Sequence, residues 1–261
     1  MRALIGTVDI LWITLDTLRY DVAASEWAPG GTPFLRDVIP EGWEPRHTPA
    51  SFTYAAHAAF FAGFLPTPIG PGPHLRQYAL AFPGSETIGP ETAVFDTPDV
   101  PAGLRVAGYH TACIGGTGFF NRATPLGRVL PGLFDEASWN PGFGVTHPDS
   151  TRNQVDAALT ILRAQDRVFL FVNLSAIHQP NRHYLPGAAT DSLATHAAAL
   201  RYVDGQLARL FAGLRRPTAW VLMSDHGTCY GEDGYVGHRL GHPNVWTVPY
   251  AEGLWKPTSG R

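Results

Sequence analysis

The stretch that decides the fold lies near the C-terminus and reads Ser224-Asp225-His226-Gly227, followed by Gly231-Glu232-Asp233-Gly234 and Gly237-His238. The apolar run Ala219-Trp220-Val221-Leu222-Met223 precedes it and predicts a buried strand of a parallel sheet. Asp225 and His226 would then follow the end of that strand, where open α/β sheets bind their ligands. A carboxylate next to an imidazole suits zinc or manganese. The alternative is a strand that is followed by an ordinary polar turn.

The composition favours one large α/β domain. The chain has 261 residues, of which 44% are hydrophobic, and a formal net charge of −3. This length is enough for a single core, and we predict one domain over residues 1–261. The nearly balanced charge gives no basic footprint for nucleic acid, and no apolar run reaches the roughly 18–20 residues of a membrane span. The two cysteines imply no disulfide framework and favour a reducing, cytoplasmic location, while the oligomeric state stays open.

Strands alternate with helices along the rest of the chain. Apolar runs predict strands that end at Asp16, Leu174 and Ser224, and a further strand over 109–114. Helical spacing and stop signals predict helices over 33–38, 53–63, 98–107, 151–165 and 191–214. This alternation predicts a three-layer α/β/α sandwich with a mostly parallel central sheet. The Gly- and Pro-rich region 64–90 supports no assignment, and region 115–148 is long enough to suggest a functional loop.

Polar residues follow three of the predicted strands and can meet at one edge of the sheet. They are Asp16, the segment Ser175–His183, and the pair Asp225-His226. Thr53 opens a predicted helix whose unpaired N-terminal N–H groups would favour a phosphate or sulfate. A hydroxyl at that position can ligate a metal and act as a nucleophile. The alternative for Thr53 is an ordinary helix N-cap.

Four short motifs spread over the chain share a family pattern. They are residues 15–21 (LDTLRYD), residues 53–57 (TYAAH) with 63–66 (GFLP), residues 108–115 (GYHTACIG) with 133–136 (LFDE), and residues 224–238. The first and third resemble sulfatases, the second resembles phosphodiesterases, and the last resembles phosphoethanolamine transferases. These enzymes all belong to the alkaline phosphatase superfamily, which the chain therefore resembles.

The resemblance implies a metal-dependent hydrolase of phosphoric esters, of the phosphodiesterase or phosphatase type, that acts on a small-molecule phosphate ester. It implies that Thr53 is the nucleophile and that one ion, zinc or else manganese or another divalent cation, is held by Asp16, Thr53, Asp225 and His226. Further histidines are left as ligands of a second ion or of the substrate, namely His178, His183 and His238, with His242 as an alternative to His238. Whether one ion or two bind stays open. The alternative for His178 and His183 is a solvated polar loop.

His57 lies one helical turn beyond Thr53 on the same face, and the resemblance implies that it is catalytic, either by contacting the phosphoryl group or by supporting the centre. Thr53 and His57 stand where sulfatases have the Cys or Ser that matures to formylglycine and, four positions on, an Arg. These departures argue against sulfatase activity. Gly116 also stands in the place of a Lys, and Ala56 in the place of the phosphodiesterase Asn.

Three other functions stay open at this point. They are a sulfatase-like hydrolase, a phosphoryl-group transferase of the same superfamily, and a non-catalytic binding protein that keeps the fold. A sugar-phosphate mutase is disfavoured, because such enzymes use a Ser nucleophile and carry a long inserted domain.

Overall fold

The structure is a computed structural model that describes residues 2–27, 31–63 and 99–257. The strands in these ranges are β1 (Asp9–Leu15), β2 (Glu44–His47), β3 (His110–Ile114), β4 (Glu136–Ser138), β5 (Val168–Leu174), β6 (Thr218–Met223), β7 (Cys229–Tyr230), β8 (Val236–Gly237) and β9 (Thr247–Trp255). The α-helices are α1 (Tyr20–Glu26), α2 (Pro33–Val38), α3 (Thr53–Ala62), α4 (Val100–Val106), α5 (Leu126–Val129), α6 (Ser150–Ala164), α7 (Leu193–Ala212) and α8 (Pro243–Trp246). Short 3₁₀ turns lie at Arg2–Leu4, Gly118–Phe120, Pro131–Leu133, Pro141–Phe143, Arg182–Tyr184 and Glu232–Gly234.

The main sheet has seven strands in the order β2-β9-β6-β1-β5-β3-β4. β1 lies between β5 and β6 and runs parallel to both, and β3 is parallel to β5 and to β4. β9 is antiparallel to β6 and to β2. Since β1, β5 and β6 are parallel neighbours, their carboxyl ends meet at one edge of the sheet. The predicted convergence of the strands that end at Asp16, Leu174 and Ser224 is confirmed.

Two hydrophobic cores cover the two faces of the sheet. Leu11 and Ile13 of β1 pack in one core with residues of α1, α2, α6 and α7. Ile10, with Phe169 and Phe171 of β5, packs in the other core with Phe61 of α3 and residues of α4. Strands that are buried on both faces have nearly continuous apolar sequences, which is why the sequence pattern identifies β1, β5 and β6. The predicted three-layer α/β/α sandwich with a mostly parallel sheet is confirmed.

The sequence does not predict β9 and β2, which form an antiparallel pair at one edge of the sheet. Pro249 and Gly253 interrupt the apolar pattern of β9, and a Cβ at Gly253 would lie 2.5 Å from the ring of Trp220. β2 is short, exposed and charged and contains Pro45, as is common in edge strands. Such strands carry little apolar signal.

The region 115–148, predicted as a long functional loop, is partly ordered in the structure. It contains α5, three 3₁₀ turns and β4, which joins the sheet next to β3. The unassigned region 64–90 and the Phe64–Pro66 part of the second motif lie outside the described residues. In the parts of the chain that are described, no helix is both long enough and apolar enough to span a membrane.

Candidate metal centre

Three potential metal ligands meet at the carboxyl ends of β1 and β6. Asp16, Asp225 and His226 each offer one ligand atom, and these atoms lie within 4.8 Å of one another. All three side chains are buried. The parallel pairing of β1 with β6 aligns the two strand ends, so residues from opposite ends of the sequence form one cluster. The two aspartates and the histidine are brought together as the sequence motifs predict.

Asp225 has one oxygen that is buried without a partner. Its Oδ1 accepts hydrogen bonds from the backbone N–H groups of Thr17 (3.1 Å) and His226 (3.0 Å). Its Oδ2 has no hydrogen-bond partner among the described residues and lies 3.5 Å from His226 Nε2. Burial and the negative charge of Asp16 raise the pKa of Asp225 to about 7. A divalent cation would stabilise this carboxylate, and the set of oxygen and nitrogen donors fits zinc or manganese.

The tautomer of His226 also suits metal binding. Its Nδ1 lies 2.9 Å from the carbonyl oxygen of Gly227, which can only accept a hydrogen bond. Nδ1 therefore carries the proton, and Nε2 presents its lone pair to the centre. Burial lowers the pKa of His226. Only glycine fits at position 227, because the chain passes close to Asn244 there. A Cβ at Gly227 would lie 1.9 Å from the carbonyl oxygen of Asn244.

Asp16 is held by hydrogen bonds on both oxygens. The Thr17 hydroxyl donates to Oδ1 (2.8 Å), and the Asn173 amide donates to Oδ2 (2.9 Å). Burial raises the pKa of Asp16, but the charges of His178 and His226 together with these hydrogen bonds outweigh burial and hold this pKa below its ordinary value. Sequence reasoning missed Asn173, although it is the one amide in the otherwise apolar strand β5.

Thr53 reaches this cluster from the N-terminus of α3. Its Oγ1 lies 3.3 Å from His226 Nε2, and the residue is 2% exposed. Phe52 occupies the N-cap position, so Thr53 is the first residue of the helix rather than its cap. The helix ends at Gly63, whose φ of +76° is the left-handed stop that the sequence predicts. Thr53 therefore presents its hydroxyl to the candidate metal centre.

His57 is fully buried next to the centre and does not line the cavity described below. Its Nδ1 donates to the Thr53 carbonyl (2.7 Å), and its Nε2 accepts from the Thr14 hydroxyl (3.0 Å). The ring is buried between Phe120 and Phe171, at 5.4 Å from each ring centroid. Burial lowers its pKa. Both ring nitrogens are hydrogen-bonded within the protein, so of the two roles predicted for His57 this position favours support of the centre, through Thr53, over contact with a phosphoryl group.

Two of the other candidate histidines flank the centre. The His238 ring lies 4.5 Å from the His226 ring and 5.6 Å from the His178 ring, measured between centroids. His178 Nδ1 donates to the carbonyl of Gln179 (2.5 Å), which leaves Nε2 as a possible ligand. Burial and the neighbouring His226 and His178 lower the pKa of His238 to about 4. His178 and His238 are therefore placed to contact a substrate or a second ion.

The remaining two histidines are engaged elsewhere. The His183 ring packs on Tyr184 with centroids 4.2 Å apart, and its pKa is lowered by burial and by Arg182 against the opposing charge of Asp191. His183 lies in the 3₁₀ turn Arg182–Tyr184 and does not line the cavity described below. His242 caps α8, and its Nε2 lies 3.1 Å from Asp233. Of the two alternatives, it is His238 that lies beside His226.

A cavity of about 490 Å³ gives access to this centre. It is lined by Thr53, Thr117, Gly118, Phe119, Val145, His178, Gln179, Gly237, His238 and Arg239. Sequence reasoning missed Thr117 and Arg239, since neither falls on a quoted motif position with a chemical role. A second, more apolar cavity of about 400 Å³ is lined by residues that include Trp12, Phe60 and Met223, and it contains none of the candidate ligands.

Comparison with known proteins supports the predicted superfamily. A sequence model of the Sulfatase family matches residues 9–252, whereas no curated protein sequence matches the chain significantly. The chain is similar in structure to the C-terminal periplasmic domain of phosphoethanolamine transferase EptC from Campylobacter jejuni, with a TM-score of 0.61 and 14% identity over 95% of this chain and 80% of that one.

Two further solved structures show the same likeness. The lipoteichoic acid synthase LtaP from Listeria monocytogenes has a TM-score of 0.62 and 16% identity over 99% of this chain and 67% of that one. A zinc complex of the EptC periplasmic domain from Escherichia coli has a TM-score of 0.62 and 14% identity over 96% of this chain and 73% of that one. At these identities the likeness shows a shared fold. With the match over residues 9–252, it follows that the chain belongs to the Sulfatase family, within the alkaline phosphatase superfamily.

Proposed function

We propose that the chain is a metal-dependent hydrolase of phosphoric esters with Thr53 as its nucleophile. The observation that carries this proposal is the position of the Thr53 hydroxyl, 3.3 Å from the unprotonated Nε2 of His226. The unpartnered Oδ2 of Asp225 lies 3.5 Å from the same nitrogen. A divalent cation bound by these groups would lower the pKa of a nearby hydroxyl and withdraw charge from phosphoryl oxygens.

The residues around Thr53 suit a two-step displacement at phosphorus. Thr53 Oγ1 would give up its proton to solvent and form a bond to phosphorus while the ester P–O bond breaks, and the departing alkoxide would take a proton from a water molecule. Water would then attack the phosphothreonine, release the phosphate and restore the hydroxyl. The hydrogen bond from His57 to the Thr53 carbonyl holds the first turn of α3 in place for both steps.

Phosphoryl transfer is the second candidate, and the names of the solved relatives favour it. EptC is named as a phosphoethanolamine transferase, and LtaP as a lipoteichoic acid synthase. Transfer and hydrolysis would share the attack by Thr53 and differ only in the acceptor, which is an alcohol or water. Sulfate-ester hydrolysis is a weaker candidate, because Thr53 occupies the place of the formylglycine precursor.

Metal analysis combined with a substrate screen tests the proposed function. The purified chain is analysed for bound metals, loaded with zinc or manganese, and assayed with chromogenic phosphomonoesters, phosphodiesters and sulfate esters, with and without added alcohols. We expect metal-dependent turnover of a phosphate ester that Asp225→Ala abolishes, because the variant loses a carboxylate ligand. Alcohols that divert the product to a new ester would show transfer.

His147→Ala serves as the control for this screen, because His147 hydrogen-bonds locally to the Asp149 backbone and lies outside the cavity. Its turnover should equal that of the wild type. Turnover of sulfate esters far above that of phosphate esters would contradict the proposal. Full turnover by Asp225→Ala, or by the metal-free chain, would also contradict it.

A further inference from the structure

Arg239 is held beside Thr53, the proposed nucleophile, by contacts with Ser51 and Phe52, the two residues that precede Thr53 in the chain. Its backbone N–H donates to the Ser51 carbonyl (2.9 Å), and its guanidinium carbon lies 5.6 Å from the centroid of the Phe52 ring. Ser51 and Phe52 lead directly into Thr53. Arg239 has a φ of +68°, which is uncommon for a non-glycine residue and must be imposed by its surroundings. These contacts place the guanidinium next to the segment that leads into Thr53, and Arg239 lines the cavity.

The guanidinium of Arg239 has no carboxylate partner in the described part of the chain. Other arginines there form ion pairs, for example Arg19 with Asp21 and Glu232, and Arg216 with Asp9. Of the described residues that line the cavity, Arg239 alone has a fixed charge. The two carboxylates Asp16 and Asp225 would balance the charge of one divalent ion. An anionic substrate would then need a further cation, and Arg239 is placed to provide it.

Thr117 lines the same cavity and has an unused hydroxyl. It is 8% exposed, and its Oγ1 is buried without a hydrogen-bond partner among the described residues. Thr117 precedes the 3₁₀ turn Gly118–Phe120, yet its side chain does not cap that turn. A buried hydroxyl normally has a hydrogen-bond partner, and leaving it without one is costly. A ligand oxygen in the cavity would be such a partner.

We propose that Arg239 and Thr117 form an oxyanion subsite that binds the non-bridging oxygens of a phosphoryl group next to Thr53. This inference rests on the proposed function, since it names the groups that hold the phosphoryl oxygens during the attack. The guanidinium and the hydroxyl donate hydrogen bonds to oxygens that keep their negative charge throughout the reaction. Both residues are therefore binding groups for phosphate itself as well as for its esters.

Binding of inorganic phosphate to the zinc-loaded protein tests the subsite without requiring turnover. Titration calorimetry compares the wild type with Arg239→Gln, Arg239→Lys, Thr117→Val and Thr117→Ser. We expect Arg239→Gln to weaken phosphate binding about tenfold or more and Thr117→Val to weaken it at least about threefold, because each loses a hydrogen bond to a charged oxygen. Arg239→Lys and Thr117→Ser should recover most of the affinity.

Two controls match the chemistry of the test variants. Thr151→Val removes another buried hydroxyl, on α6 and outside the cavity, that has no hydrogen-bond partner in the described ranges. Arg163→Gln removes an exposed arginine charge on the same helix. Both should bind phosphate as the wild type does. If Thr117→Val fails to fold, as judged by circular dichroism, the Arg239 pair and Thr117→Ser still decide the matter.

The outcomes separate the subsite from the proposed reaction. If Arg239→Gln and Thr117→Val bind phosphate as tightly as the wild type while turnover still depends on Thr53, the subsite is wrong and the proposed function stands. If phosphate binding depends on both residues but no phosphate ester is turned over, the subsite stands and the proposed function fails. A wild type that does not bind phosphate at millimolar concentrations would overturn the subsite.

Discussion

At the scale of single residues, a chain of hydrogen bonds links the metal centre to the proposed nucleophile. The Asn173 amide donates to Asp16 Oδ2 and to the Thr14 hydroxyl, which donates to His57 Nε2. His57 Nδ1 in turn donates to the Thr53 carbonyl. Every residue in this chain of hydrogen bonds is buried. A substitution at one end should therefore change the hydrogen bonds of the residues along it. This chain explains why a histidine stands one turn after Thr53 and does not contact the cavity.

Asn173→Ala should weaken metal binding about 10- to 100-fold, because Asp16 loses the partner that orients it. The measurement is a competition titration of zinc between the protein and a chelating dye. Asn153→Ala is the control, since Asn153 lies on α6 and donates to the Gly142 carbonyl rather than to a candidate ligand. Unchanged zinc affinity in Asn173→Ala would mean that Asp16 is not a ligand or needs no support.

At the scale of elements, the ends of strands and the start of one helix place the candidate ligands. The motifs after β1 and β6 predict Asp16, Asp225 and His226, because the apolar runs before them identify buried parallel strands. The helix from Thr53 is predicted by its apolar content and by Gly63. The positions of Arg239 and Thr117 follow from tertiary contacts, such as the hydrogen bond from Arg239 N–H to Ser51. Such contacts leave no periodic signal in the sequence.

Gly63→Ala should destabilise the protein by about 1 kcal/mol, because alanine must adopt the left-handed conformation that ends α3. A new Cβ at Gly63 would meet Val100 at an ordinary 3.6 Å, so the cost comes from the backbone. Gly103→Ala is the matched substitution inside α4, where a Cβ has no neighbour within 4 Å. It should stabilise the protein by about 0.5–1 kcal/mol. Urea unfolding measures both, and equal effects would contradict the role of Gly63.

At the scale of the whole molecule, a buried network joins the first, middle and last parts of the chain. His196 of α7 accepts from the Arg19 N–H (3.3 Å), and its Nδ1 lies 2.9 Å from the Tyr230 hydroxyl. Tyr230 also accepts from Asn181, in the loop that follows His178. Arg19 and Tyr230 belong to the first and last sequence motifs, so this network explains residues of those motifs that do not contact the centre. The sequence shows that the motifs belong together, whereas the connecting His196 could be found only from the fold.

His196 should make the stability of the protein depend on pH. Burial, with the nearby charge of Arg19, lowers the pKa of His196 to about 3. The neutral ring is therefore kept in the folded state, while the unfolded chain takes up a proton below its ordinary pKa of about 6.5. The contribution is fully present above that value and is lost as the pH falls from about 6.5 toward about 3.

Between pH 7 and pH 5, the loss should amount to about 2 kcal/mol of unfolding free energy. His196→Gln keeps a hydrogen-bond acceptor but has no titrating group at this position. Between pH 7 and pH 5, the unfolding free energy of this variant should therefore fall by about 2 kcal/mol less than that of the wild type. Urea unfolding of both proteins at the two pH values and the same zinc concentration gives the difference. Parallel pH profiles would show that His196 is already protonated in the folded state or is not buried.

The most direct test of the central claim is to identify the residue that becomes phosphorylated during turnover. The zinc-loaded protein is mixed with a phosphate ester, quenched in acid within its turnover time, digested and analysed by mass spectrometry. We predict a phosphoryl group on Thr53, and we expect Thr53→Ala to lose both the adduct and turnover, by about 10³-fold or more, while it keeps its zinc. Ser51 and Ser175 are the neighbouring hydroxyls that compete for this role, and Ser175 already donates to the Phe143 carbonyl (2.6 Å). An adduct on Ser51 or Ser175, or undiminished turnover by Thr53→Ala, would contradict the account.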